Sequence, residues 1–326
     1  MFPELFEIPF IHVTLKSYGL MMVIGFLAAV YLIRRLSRNI TPDPQLITNA
    51  ALYSLIGGVV GARLFYVIHY FEHFKENPAS VFAIWHGGLE LLGGVILAIT
   101  IILFYLLYHK LPVRQYLDIL AIALMLALAF GRIGCLLNGC CFGKPTKLPW
   151  GIRFPYNSIA YLSQINADLE RNRPAPQLIL PQEEYLSFID RDGNWHPKPY
   201  ENLTEQQKIE VTKGKYRCLP VHPTQLYASA GAAVLCLILY FFWRRSQNAG
   251  SSKTAGKIFV KPGSTFALMF VLYGATRFLL EFLRDDNPFE FDGLTISQLL
   301  GINMIVFGAV LMAIFQIMKQ KTLKSV

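Results

Sequence analysis

Apolar residues in this chain fall into seven long runs divided by polar or basic breaks, all but one of them short. The first covers residues 18–33 and stops at Arg34, Arg35 and Arg38; the second covers 50–70. The third, 89–108, ends at His109, Lys110 and Arg114, and the fourth occupies 116–137. The fifth, 226–243, ends at Arg244 and Arg245; the sixth is 264–283; the seventh, 296–318, runs into Lys319, Lys321 and Lys324. A helix needs roughly 20 mostly apolar residues to cross the hydrocarbon core of a bilayer. The pattern predicts an all-α polytopic membrane protein with seven transmembrane helices.

A polar insertion, residues 144–220, separates the fourth run from the fifth. It is rich in Pro, Asn, Gln and charged residues, yet it holds Trp150, Phe154, Tyr156, Tyr161, Leu178, Ile179, Tyr185 and Trp195. Segments that stay disordered have few aromatics, so a small folded head outside the membrane is expected. The chain then divides into residues 1–143 (spans one to four), 144–220 (the head) and 221–326 (spans five to seven). A short amphipathic link, 71–88, joins spans two and three. Within span two, Gly57-Gly58-Val59-Val60-Gly61-Ala62 sets small residues four apart, which lets a neighbouring helix approach closely. We prefer that packing role to a phosphate-binding loop.

Composition agrees with a membrane location. The 326 residues are 54% hydrophobic and 16% charged, with a mean hydropathy of +0.40, where a soluble domain is about a quarter charged. The net charge of +9 raises the question of nucleic acid. The basic residues flank apolar runs rather than covering one soluble face, so no nucleic-acid partner is expected. They also set topology. Arg34, Arg35, Arg38, Lys110, Arg114, Arg244, Arg245, Lys253, Lys257, Lys261, Lys319, Lys321 and Lys324 follow spans one, three, five and seven; short segments on the other side carry Lys16 and Lys75. Short cytoplasmic loops carry the excess of Lys and Arg, which puts the N-terminus and the head outside and the C-terminus in the cytoplasm. Residues 1–10 carry Glu4 and Glu7 in place of a basic start, so no cleavable signal peptide is expected.

Polar groups at membrane depth are costly, and the default reading of each is functional. Four clusters map to the outer half. Arg132 and Asn138 lie in Gly131-Arg132-Ile133-Gly134-Cys135-Leu136-Leu137-Asn138-Gly139-Cys140-Cys141-Phe142-Gly143, where span four meets water. His222-Pro223-Thr224-Gln225-Leu226-Tyr227 opens span five; His222 there is a helix-start cap or a catalytic base. Tyr273, Arg277 and Glu281 share one face of span six, with Arg277 and Glu281 at i and i+4. That pair either fixes helix packing or forms part of a clamp. Tyr18-Gly19 opens span one. Two arginines aimed at one cavity match phosphate oxygens with their guanidinium forks, and a phospholipid headgroup is the phosphate at that depth. His69, His73 and His86 lie near the outer surface, where solvation alone accounts for them.

The cysteines are Cys135, Cys140, Cys141, Cys218 and Cys236. Three readings stand side by side: a disulfide from Cys140 or Cys141 to Cys218 on the oxidising side, a zinc site from Cys135, Cys140, Cys141 and Cys218, or a reactive thiol. Cys236, in mid-span, packs the core.

Gly131-Arg132-Ile133-Gly134 with Asn138 and Gly143, the string His222 to Tyr227, and Arg277-Phe278 with Glu281 resemble the prolipoprotein diacylglyceryl transferase family, in the family's order over essentially the whole chain. Tyr18-Gly19, Gly57 to Tyr66 with Arg63, and the glycine pairs Gly87-Gly88 and Gly93-Gly94 extend the likeness. The resemblance implies seven spans in the bacterial cytoplasmic (inner) membrane with a periplasmic head and the active site toward the periplasm. It implies transfer of diacylglyceryl from phosphatidylglycerol to the lipobox cysteine of a preprolipoprotein signal peptide, with release of glycerol phosphate and no metal or soluble cofactor. By position, Arg132 and Arg277 would hold the phosphate, Glu281 would orient Arg277, and Tyr18 would line the cavity. Asn138, Gly143 and Tyr273 would complete the phosphatidylglycerol site.

Three positions depart from the family pattern. Cys135 stands for Asn, Cys140 for Glu, and Leu92 falls where the family has a histidine proposed as base. His222 or Tyr18 then becomes the nearest proton acceptor for the lipobox thiol, or the thiol ionises with little help. Two other readings remain: a paralogue with another acceptor, and a non-catalytic lipid-binding protein. The absence of an internal repeat argues against a transporter.

Overall fold

The structure is a computed structural model and describes residues 4–8, 13–38, 40–41, 43, 45–75, 78–82, 87–250, 261–289 and 293–318. In chain order the elements are strands β1 (Glu4–Ile8) and β2 (Val13–Lys16), helices α1 (Ser17–Ser37), α2 (Gln45–His69), the short α3 (Phe71–Phe74), α4 (Leu91–Tyr108) and α5 (Val113–Asn138). The insertion supplies α6 (Ile159–Ile165), α7 (Gln182–Tyr185), strands β3 (Leu186–Ile189) and β4 (Trp195–Pro197), and α8 (Glu205–Thr212). Then come α9 (Thr224–Gly250), α10 (Ser264–Glu281) and α11 (Ile296–Ile317).

The architecture is mostly helical. Five of the described helices are long and apolar enough to cross a membrane: α1, α2, α5, α9 over Thr224–Gln247, and α11. α4 is apolar but shorter, and α10 carries Arg277 and Glu281, which lower its average apolarity. The expectation of a purely helical chain needs one amendment. β1 pairs antiparallel with β2, and β3 with β4, as two small hairpins.

α5 is the central helix. It packs along α1 on one side and α9 on another and also meets α10, while α2 pairs with α4 and α10 with α11. It is the most buried of the five long apolar helices, with Ala121 and Ile122 wholly enclosed in a core that also holds Leu239 and Trp243 of α9, while Leu124 stays exposed. The outer helices keep large apolar side chains exposed, among them Leu27, Tyr31, Leu107 and Phe241, as a lipid-facing surface would. Asp118, buried in α5, caps the start of α10: its carboxylate accepts from Gly263 N at 2.7 Å and Phe266 N at 2.9 Å. It satisfies amides that the first turn of a helix leaves open.

The glycines of α2 meet those of α4. A Cβ on Gly61 would lie 2.5 Å from the carbonyl oxygen of Gly93. This close approach accounts for the small-residue pattern and leaves no phosphate loop there. Arg63, on the same helix, donates to the carbonyls of Ser80 (2.6 Å), Val81 (2.8 Å), Gly87 (2.8 Å) and Gly88 (2.9 Å). It ties the link after α3 back onto α2.

Residues of the insertion surround a second core, with Phe142, Tyr161, Leu178, Tyr185, Val211, Cys218 and Val221 at its centre. Tyr161 donates to Tyr216 O at 2.9 Å, so its hydroxyl is not stranded. That core seats directly on the end of α5, through Phe142 and Phe154.

Candidate functional site

The site begins where α5 stops. Gly139 adopts φ +79 and ends the helix in the left-handed region that glycine takes without strain. Cys140 N then donates back to Cys135 O at 3.2 Å, and Cys141 sits at φ +60. The chain therefore folds over the last turn of α5.

The motif at the start of α9 holds this loop in place. Thr224 Oγ1 donates to Cys141 O at 2.7 Å and Gln225 Nε2 to Cys140 O at 2.7 Å; both side chains are buried. Gly143 N donates to His222 O at 3.1 Å, His222 N to Lys144 O at 3.0 Å, and Lys144 N to Leu283 O at 2.8 Å. A Cβ on Gly143 would stand 2.7 Å from His222 and 2.8 Å from Leu283 O. The loop thus runs between the start of α9 and the end of α10, with no room for a side chain at 143.

A cavity of about 340 Å³ opens between α5, α9 and α10. Arg132, Tyr273 and Arg277 supply its main polar groups, and Leu128, Leu279, Leu280 and Leu283 its apolar walls. Arg277 Nη1 lies 3.0 Å from Glu281 Oε2, and Nη2 donates to Ser297 Oγ. The 3.0 Å contact is off the hydrogen-bond line, so the buried Nη1 keeps a donor in hand. Glu281 is almost wholly buried. Its carboxylate also accepts from Thr295 Oγ1 at 3.1 Å and from Asn287 Nδ2, and meets Arg284 Nε at 3.8 Å. The pair binds α10 to the start of α11 through Thr295 and Ser297, and Arg277 also lines the cavity.

Arg132 differs. Among the described residues it makes no ion pair with a carboxylate; its Nη1 lies 3.8 Å from Cys141 Sγ, and the Tyr273 hydroxyl is beside it. Arg284, just past α10, pairs with Asp286 at 2.6 Å. Burial works against its charge, but the hydrogen bond to Asp286 wins and holds its pKa above the ordinary value.

The other expected site residues fall at graded distances from this centre. Tyr18 packs over Gly134, where a Cβ would touch its ring at 3.1 Å, and its hydroxyl senses Cys135, Cys140 and Arg132. Asn138 reaches Cys140. His222 contributes backbone to the loop, while its buried Nδ1 has no hydrogen-bond partner, and it does not line the cavity. Leu92 is 61% exposed on α4, which packs chiefly on α2. His69 meets Glu90 at 3.4 Å. His86 and the side chain of His73 lie outside the described residues.

All five cysteines are free. The disulfide to Cys218 is not made, because that thiol points into the insertion's core and donates to Gln164 Oε1 at 3.4 Å. Cys218 likewise takes no part in a metal set. The sulfurs of Cys135, Cys140 and Cys141 instead converge within 4.8 Å of one another. Hydrogen bonds from the Cys135 and Cys140 thiols outweigh burial, with Arg284 and Arg132 adding their charge, and hold the Cys141 pKa below the ordinary thiol value. Sequence reasoning missed Ser297, Thr295, Arg284 and Asn287. The polar run Arg284 to Asn287 directly after an apolar span was the available signal.

A larger cavity, about 790 Å³, lies in the insertion, but its charged lining is Asp168, Glu170 and Asp192. It repels anions and does not compete for phosphate. Of the residues that the sequence motifs marked, Arg132, Tyr227, Tyr273 and Arg277 line the cationic cavity.

Residues 3–314 match the profile of prolipoprotein diacylglyceryl transferase. The chain belongs to that family. Relatives named phosphatidylglycerol–prolipoprotein diacylglyceryl transferase match it nearly end to end. The Clostridium tetani protein is 27% identical over 98% of this chain and 100% of its own length. That of Buchnera aphidicola is 29% identical over 95% and 96%, and that of Synechococcus elongatus 26% over 94% and 84%. The likeness to the family covers the insertion as well as the helices.

Proposed function

We propose that this membrane transferase moves the diacylglyceryl group of phosphatidylglycerol to the lipobox cysteine of preprolipoprotein signal peptides. The observation that carries the reading is the cavity in which Arg132, without a carboxylate partner among the described residues, and Arg277 face one space with apolar walls. Guanidinium forks take the phosphodiester, and the leucine walls suit the first carbons of the acyl chains.

The acceptor sulfur forms a bond to the glyceryl carbon as that carbon's bond to phosphate oxygen breaks, and the electron pair leaves on the phosphate. A thioether and glycerol phosphate result. Arg132 and Arg277 stabilise the charge that grows on the leaving oxygen, from positions fixed before the reaction. Glu281 is a positioning residue for Arg277. Tyr273 steadies Arg132, Tyr18 lines the approach over Gly134, and Asn138 and Gly143 shape the loop beneath. Leu92 can accept no proton, which leaves His222, Tyr18 or ionisation of the thiol itself to account for it.

Seven spans complete the reading, with α4 and α10 crossing alongside the five longest helices, the N-terminus outside and the C-terminus cytoplasmic. The clusters of Arg and Lys after spans one, three, five and seven support that orientation. The head, residues 144–220, and the end of α5 then face the periplasm from the bacterial inner membrane. Parts 1–143 and 221–326 form the helical body.

The test is transfer by the purified chain given phosphatidylglycerol and a lipobox peptide, with glycerol phosphate release followed over time. Release that requires Cys and stops with Ser in the peptide is the expected result. Bound phosphatidylglycerol without release would favour the non-catalytic or other-acceptor reading.

A further inference from the structure

We propose that Cys135, Cys140 and Cys141 form a three-thiolate site for a thiophilic divalent cation of the Zn²⁺ class, whose open fourth position takes the acceptor's cysteine sulfur as thiolate. The acceptor in this inference is the one assigned above, so it rests on the transferase reading.

Three converging sulfurs can take three corners of a tetrahedron. The three sulfurs lie within 4.8 Å of one another. Zinc–sulfur bonds of about 2.3 Å set the ligand sulfurs of a tetrahedral site roughly 3.8 Å apart. The difference is about 1 Å at most. The backbone is already arranged for it: Cys135 stands in the last turn of α5, Gly139 reverses the chain, and Thr224 and Gln225 fix the carbonyls of Cys140 and Cys141. The loop carries two thiols back over the third. Cys135 is buried, while Cys140 and Cys141 are partly open, so one face remains for an incoming ligand.

Three protein ligands with one open position is the arrangement of catalytic zinc, whereas structural zinc is closed by four. A thiol that coordinates such an ion is deprotonated outright. That is the task left unfilled by Leu92, whose side chain can accept no proton and faces outward. The location also fits. Arg132 Nη1 is 3.8 Å from Cys141 Sγ and at the same time lines the phosphate cavity. A sulfur held on the ion is therefore beside the phosphodiester it attacks. The balance is simple: the acceptor S–H proton goes to water on coordination, the sulfur–carbon bond forms, the carbon–oxygen bond breaks, and the departing phosphate monoester can take up a proton. A complex of four thiolates with a divalent ion stays anionic, so its sulfur keeps its nucleophilicity, and Arg132 and Arg284 lie close enough to offset that charge.

The test uses the full-length chain in detergent under reductant, first stripped of metal and then loaded with Zn²⁺ or Co²⁺. We expect one ion per chain by elemental analysis, thiolate-to-cobalt charge-transfer absorption, and loss of both in Cys135→Ser combined with Cys140→Ser. Circular dichroism and phosphatidylglycerol binding report whether that variant is folded. Adding a lipobox Cys peptide should change the cobalt spectrum, and the Ser peptide should not. No bound ion, an unchanged spectrum with the Cys peptide, or a disulfide among the three cysteines in protein isolated without reductant would each overturn the proposal. Glycerol phosphate release is read separately. Full release by the stripped enzyme sinks the metal's role and leaves the transferase standing; a spectral response to the Cys peptide without release does the reverse.

Discussion

Arg277→Ala separates a phosphate clamp from a purely structural ion pair. If Arg277 touches the leaving phosphate, its loss removes one preorganised cationic donor, worth about 100- to 1000-fold in kcat, or roughly 2.7–4 kcal/mol. The same change strips a buried partner from Glu281, and breaking a buried pair costs about 3–5 kcal/mol of stability. The structure places the effect at or below the low end of that range, because Arg284 at 3.8 Å, Thr295 at 3.1 Å and Asn287 still contact the carboxylate. Glu281→Gln in the Arg277→Ala background removes the stranded charge altogether.

The two terms can therefore be read apart. Thermal unfolding in detergent should show Arg277→Ala destabilised and the double variant largely recovered. Glycerol phosphate release should stay low in both. Arg277→Lys keeps the charge but loses the fork, so it should fall between the parent and Arg277→Ala. Recovery of kcat together with stability in the double variant would refute the clamp and leave Arg277 a structural residue only.

Gly143→Ala should cost about 1–3 kcal/mol by overpacking, since its Cβ would stand 2.7 Å from His222 and 2.8 Å from Leu283 O; a lower melting temperature with reduced transfer checks it. Asp118→Ala removes the acceptor for two amides at the start of α10 and should lower stability by roughly 1–2 kcal/mol, measured by the same unfolding. Burial pushes the Cys218 thiol up from 9.0 to about 11. A raised thiol favours the fold below its unfolded pKa, so that contribution is complete below about pH 9 and fades as pH rises through about 11. Alkylation of Cys218 should accordingly be far slower in the native chain than in the unfolded one across that window, and equal rates would contradict its burial.

Much of the fold was legible because apolar runs of membrane length leave few alternatives. The run at 116–137 became Val113–Asn138, and 296–318 became Ile296–Ile317. The second helix starts earlier than its apolar run, at Gln45, because Asp43 accepts from the Gln45 amide at 2.9 Å and so extends it through polar residues. The Arg277–Glu281 contact was legible from its i, i+4 spacing alone. The clasp on the loop after α5 was not. Thr224 and Gln225 reach carbonyls more than 80 positions away, and no local period encodes such a pairing. His222 drew notice as a candidate base, while the hydrogen bonds it makes are through its backbone and its ring lies against Tyr227. The disulfide expectation failed for a similar reason: an oxidising side permits a bond but says nothing about where a thiol points, and Cys218 points inward.

Charge explains why the cavity needs its substrate. Of three guanidinium groups, Arg277 and Arg284 meet the carboxylates of Glu281 and Asp286, while among the described residues Arg132 meets no carboxylate, only the Cys141 sulfur at 3.8 Å. A partly buried guanidinium is costly to hold without an anion. A phosphodiester brings one negative charge to Arg132 and Arg277. When its bond to the glyceryl carbon breaks, the phosphate gains a second, and the interaction with Arg132 and Arg277 strengthens at that moment. Interactions that grow toward the transition state raise the rate, while those already complete in the bound substrate do not. Arg132, with no carboxylate partner among the described residues, is therefore the guanidinium whose contribution should increase most as the bond breaks.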